Sequence, residues 1–157
     1  MKNIGYILSV CTFIILFGAC SNDDDNGGSN DEMALASGTY SLVELNISPA
    51  VDINNDGNTT SNAVSELPCA TGTLELRSDG NWIWNFIEIN VTSITGGTFS
   101  LTCTSSTTRR SGSWTISNNQ VTIYDGARNF IFTKDADRLT LTDGDDLPGF
   151  KSMVYER

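Results

Sequence analysis

One short run in this 157-residue chain has the residue types and spacing of a metal-binding loop. It reads Asp52-Ile53-Asn54-Asn55-Asp56-Gly57-Asn58. Oxygen-bearing side chains at alternate positions can converge on one point, and a glycine at the sixth place allows the sharp turn between them. Hard oxygen ligands of this kind suit calcium. Asn58 would lend its backbone carbonyl, and Thr60 a hydroxyl, directly or through water. The place where an EF-hand carries a bidentate glutamate is Ala63. Glu66, three residues further on, can substitute only if the backbone bends in. The competing reading is a surface loop whose Asp and Asn side chains cap its own turns.

Two other groups of residues could carry a function. Trp82, Trp84, Phe86 and Trp114, with Phe130 and Phe132, are candidates to line a cavity for a small apolar ligand. They could equally fill the middle of a small β-barrel. Glu88 falls on the Trp82 side of its segment, as a polar handle in a pocket or at an exposed end. Cys69 and Cys103 are an even pair in a chain read as exported, which predicts a disulfide between them. Arg109-Arg110 reads as a solvated loop tip, and Asp143-Gly144-Asp145-Asp146 as solvated charge.

Catalysis finds little support. The chain has no histidine, so the commonest general base, the commonest zinc ligand and a Ser-His-Asp triad are missing together. No nucleophile motif or glycine-rich phosphate loop replaces them. A glycosidase would need a carboxylate pair such as Glu75 and Glu88 about 5–9 Å apart in a cleft, and nothing in their spacing predicts that. The expectation is a protein that is not an enzyme.

The elements that must position these residues are strands. From Gly38 onward the apolar pattern has period two and is cut by turn residues at short intervals. Strands are expected at 39–47, 71–77, 81–91, 98–104, 111–116, 121–124, 129–133, 138–142 and 150–155. Asp79-Gly80, Gly96-Gly97, Ser117-Asn118-Asn119 and Asp125-Gly126 mark turns. In 81–91, Ile83, Ile87, Ile89 and Val91 fall on one face and Trp82, Trp84 and Phe86 on the other. A polar loop is expected at 105–110, and a short helix is conceivable at 62–67. Sequential hairpins favour an all-β, up-and-down antiparallel β-barrel of 8–10 strands, with a β-sandwich as the alternative. Only 48–70 is long enough to cross between two sheets.

The N-terminus supplies an address. Lys2 is followed by a mostly apolar run from Ile4, which is a secretory n-region and h-region, short for a membrane span. The run ends in Gly18-Ala19-Cys20, which resembles a bacterial lipoprotein signal. By that resemblance 1–19 is a signal peptide and Cys20 is lipidated, anchoring the chain in a membrane. Asp23-Asp24-Asp25 is similar to the acidic surface-export signal of Bacteroidetes lipoproteins. The implied location is the cell envelope, on the outer membrane and at the cell surface. Residues 20–37 are mostly Asp, Asn, Gly and Ser, and read as a disordered acidic linker.

The chain carries nineteen Asp and Glu against nine Lys and Arg, a net charge of −10. Without Lys2 and the five linker carboxylates, 38–157 still has fourteen against eight. That balance argues against nucleic acid as a partner. A monomer is expected.

Gly38-Thr39-Tyr40 at the start of the first strand is similar to the Gly-x-Trp opening of lipocalins, with Tyr for Trp. The series Asp52 to Gly57, then Cys69, then Ser78-Asp79-Gly80, and the closing Tyr155-Glu156-Arg157, resemble the lipocalin-like domains of Bacteroidetes lipoproteins. The resemblance covers 38–157. It implies a barrel holding a small apolar or amphipathic ligand. The alternative is a calcium-stabilised surface module that binds a glycan or a protein.

Overall fold

A computed structural model describes residues 27–93, 99–126, 128–142 and 150–157. Cys20 and the signal segment, the turn at Gly96-Gly97 and the acidic run 143–146 lie outside the described residues. Nine strands form one antiparallel sheet: β1 (Gly38–Val51), β2 (Thr60–Asn62), β3 (Gly72–Leu76), β4 (Asn81–Ser93), β5 (Phe99–Ser117), β6 (Gln120–Asp125), β7 (Arg128–Asp135), β8 (Arg138–Thr142) and β9 (Phe150–Glu156). The order is β2-β1-β3-β4-β5-β6-β7-β8-β9, so neighbours follow chain order from β3 onward, and β1 also pairs with β9. Eight strands therefore close into an up-and-down barrel, with β2 added outside the closure on β1.

Closure falls to the longest reach of β1. Its first residues pair with β3 (Gly38 opposite Leu76, Ser41 opposite Thr73) and its middle with β9 (Leu42 opposite Tyr155, Ile47 opposite Phe150). Register shifts between Leu42 and Glu44, and again between Asn46 and Ile47, bend the strand around the barrel. The short turns follow their sequences. Asn118 and Asn119 both have positive φ, at 50° and 62°, as the tightest hairpins require.

Two packed regions fill the structure. At one end Tyr40, Leu74, Leu76, Trp82, Trp114, Val121, Ile123, Phe132 and Leu139 are fully buried together. At the other, Leu45, Ile47, Leu101 and Phe150 pack with Ala63, Leu67 and Ala70 from the excursion between β1 and β3. That excursion holds β2 and a short helix α2 (Ala63–Glu66). Asn62 caps α2 through a bond from the Val64 N–H, and the same oxygen accepts from the Leu45 N–H. The segment that was long enough to cross between sheets instead folds back beside β1.

Three expectations change. Within the segment read as a disordered acidic linker, 27–36 forms a helix, α1 (Gly27–Ala36). Ala36 is buried and Met33 packs on the first core, and the Tyr40 hydroxyl donates to the Ala36 carbonyl at 2.7 Å. These contacts place α1 against the first core at that end of the barrel. Next, 105–110 is strand and not loop: 107–110 pair with β4 from Ile87–Thr107 to Trp84–Arg110, and 105–106 lie in the irregularity just before that ladder. Last, the register slips between Ile87 and Ile89. The core-packed face of β4 then changes from Trp82, Trp84 and Phe86 to Ile89 and Val91.

Candidate functional site: a cavity at the end of the barrel opposite α1

The two packed regions leave a gap between them, on the side of the barrel away from α1. A cavity of about 480 Å³ lies there, within the size range of small-molecule sites. Its apolar wall includes Leu42, Leu45, Trp84, Phe86, Phe130, Leu141, Phe150, Met153 and Tyr155. Trp84 is the hub of that wall. Its ring centroid is 5.3 Å from Phe86, 5.5 Å from Phe130 and 6.0 Å from Tyr155, mostly in edge-to-face poses. Trp84 Nε1 donates to the Tyr155 hydroxyl at 2.8 Å, deep in the core. Burial pushes the Tyr155 hydroxyl well above the ordinary tyrosine pKa, so it stays protonated in neutral water.

Arg110, Arg128, Glu88 and Asn90 complete the lining and are exposed, so they form its mouth among the described residues. Arg110 is bonded to Asp125 at 2.8 Å, and its guanidinium sits 5.7 Å from the Phe86 ring centre. The expectation of a solvated tip at Arg109-Arg110 is corrected here: Arg110 lines the cavity because β5 is continuous through it. Glu88 accepts a bond from the Thr108 hydroxyl at 2.9 Å.

The four aromatic candidates separate. Trp84 and Phe86 line the cavity. Trp82 and Trp114 do not. Both are fully buried in the first core, where Trp82 Nε1 donates to the Ser113 carbonyl at 2.9 Å and Trp114 Nε1 to the Arg77 carbonyl at 3.0 Å. Phe130 belongs to the wall, while Phe132 packs in the first core. Sequence reasoning missed Tyr155, Leu141, Met153 and both arginines. Their strands carried no special pattern, and only closure of β9 on β1 brings Tyr155 beside Trp84.

Cys69 and Cys103 form the disulfide, with Cα atoms 6.2 Å apart. It joins the end of the β1–β3 excursion to β5, beside the cavity wall at Ala70 and Ile89.

The Asp52 to Asn58 run is a compact loop closed by its own hydrogen bonds. Asp52 accepts from the Asp56 N–H at 3.1 Å and the Gly57 N–H at 2.9 Å, and Asp56 accepts from the Asn58 N–H at 2.8 Å. Asn54 accepts from the Asp56 N–H at 2.9 Å. The Asn58 backbone bond, with help from the Asn54 side chain, holds the Asp56 carboxyl below its usual pKa. Glu66 does reach the loop. Its buried carboxylate accepts from the N–H groups of Ile53 at 3.1 Å and Asn54 at 3.3 Å. Among the described residues no cluster of three or more acidic or cysteine side chains has the geometry of a metal site. Glu75 and Glu88 do not face one another: Glu75 pairs with Arg77 at 2.8 Å on the barrel wall, away from the cavity that Glu88 lines.

Compared with family models, with curated proteins and with solved structures, the chain matches none of them. The fold and the cavity define the class by themselves: a closed antiparallel barrel with room inside it.

Proposed function

We propose that this is a lipid-anchored, lipocalin-like binding protein of the cell envelope, holding a small apolar or amphipathic molecule without acting on it chemically. The observation that carries the reading is the cavity of about 480 Å³ walled by Trp84, Phe86, Phe130 and Tyr155. A small barrel can be filled by its own side chains, and here the two packed regions leave a gap between them. An apolar wall with a few polar groups at its rim is the usual form of a small-molecule site. The lipid anchor rests on Gly18-Ala19-Cys20 and the apolar run before it.

Native mass spectrometry of the full chain, purified from an envelope extract, tests the reading. The expected result is added mass in the range of a small organic molecule, lost on denaturation. Tryptophan emission should also shift when an apolar probe such as dodecanol is titrated in, through Trp84. Protein that carries no such mass and whose emission ignores dodecanol would overturn it.

A further inference from the structure

We infer that the cavity is built for an amphiphile with an anionic head, a carboxylate in the simplest case, seated at Arg128 with its tail against Trp84 and Phe130. This rests on the cavity reading above and adds the head group to it. The mouth is not electrically even. On the β5–β7 side, Arg110 and Arg128 both line the opening. Asp125 stands opposite Arg128 in the β6–β7 ladder, but its Oδ2 is 2.8 Å from Arg110. The one carboxylate on that side is thus taken by Arg110. Among the described residues Arg128 has no carboxylate of its own within ion-pair distance.

With Asp125 and Glu88 the described charges of the mouth balance, so what matters is their separation: both arginines stand on the β5–β7 side and Glu88 on β4. Glu88 lies on β4, across the mouth, and is held by Thr108. It repels an anion from that side and steers the head toward Arg128. Below the head, Phe130 stands two residues along the same strand and Trp84 packs edge-on against it at 5.5 Å. A guanidinium presents a planar fork that matches a carboxylate, and the aromatic wall matches an alkyl chain.

The test uses the full-chain protein and three probes with one tail and different heads: dodecanoate, dodecanol and dodecylamine, titrated by tryptophan emission and calorimetry. Dodecanoate is expected to bind about tenfold tighter than dodecanol, as one hydrogen bond between charged partners implies. Arg128→Gln should abolish that difference, and a circular dichroism spectrum and urea midpoint matching the parent's would show that the variant is folded. Glu88→Gln should widen it. Equal binding of dodecanoate and dodecanol, or tightest binding of dodecylamine, would overturn the anionic head and leave the cavity reading standing. Binding of none of the three would remove both.

Discussion

Single residues set the tolerances of this barrel. Gly112 shows it best. A side-chain carbon there would collide with the Tyr124 carbonyl on β6 and lie 3.0 Å from Trp82 Nε1. Neither neighbour can give way, since one is ladder backbone and the other a fully buried indole. Gly112→Ala is expected to cost about 1–3 kcal/mol as an overpacked site does, read as a lower urea midpoint with an unchanged slope. Glu66 is the second sensitive position. It is 4% exposed, and it holds two backbone N–H groups of the excursion loop. Glu66→Ala strands those donors and is expected to cost about 1–3 kcal/mol, whereas Glu66→Gln keeps an acceptor and should cost less. Equal losses in the two variants would show that packing, and not the acceptor, is what Glu66 provides.

Much at this scale was readable in advance. The alternation of Leu74 and Leu76, the Asp79-Gly80 turn and the Cys69–Cys103 pairing follow from residue type and spacing alone. Arg110 did not, because its inward place depends on Asp125 and on a ladder to β4 that no local pattern announces.

At the scale of elements, the strand pattern was legible and its interruptions were not. A period-two reading assumes that a strand keeps its faces. The slip between Ile87 and Ile89 breaks that assumption, since one residue of β4, Glu88, there stands against three of β5, 104–106. The segment 105–110 looked like a loop for the same reason: Ser, Thr and Arg suit a solvent-facing ladder as well as a turn, and only pairing decides. Helix α1 was hidden because its Gly and Asn residues have poor helix propensity, and its stability comes from packing Met33 and Ala36 on the barrel.

The excursion between β1 and β3 carries two predictions. Its disulfide closes a loop of 34 residues in sequence separation, so replacing Cys69 and Cys103 by Ser is expected to lower stability by about 3–4 kcal/mol on the chain-entropy estimate. Urea unfolding of the variant and the parent measures this, and a loss under about 1 kcal/mol would contradict it. The Asp52–Asn58 loop is already closed by its own N–H groups, so the melting temperature is expected to be the same in chelator and in millimolar calcium. A rise in calcium would give the ion a place in that loop.

For the molecule as a whole, acid and base should attack different groups. Hydrogen bonds hold Asp56, Asp79, Glu44 and Glu75 below their ordinary pKa values: from Asn58 for Asp56, from Asn81 for Asp79, chiefly from Asn46 for Glu44, and from Arg77 for Glu75. The unfolded chain then binds protons more readily than the folded one. Their contribution is present above the unfolded value and fades as the pH falls below about 4. Asp56 and Asp79 are exposed and Glu44 and Glu75 are at the surface in part, so each effect is small. Tyr155 and Tyr40 run the other way. Burial raises both, so the folded state keeps protons that the unfolded state releases, and stability should decline as the pH rises past about 10. A urea midpoint followed across the pH range should show a gentle acid shoulder and a steeper alkaline fall. A midpoint that holds level above about pH 10 would contradict the tyrosine assignment.

The closed end of the barrel gives the molecule a direction. Helix α1 enters beside Tyr40, where Arg157 donates to the Ser37 carbonyl at 2.7 Å and lies 5.3 Å from the Tyr40 ring centre. Whatever precedes Gly27 therefore joins at the plugged pole, and the cavity opens at the other. On the proposed reading of a lipid-tethered N-terminus, that geometry would point the opening outward, away from the surface that holds it. Cargo would be exchanged with the surrounding medium, or with another molecule approaching from it, and not with the bilayer below.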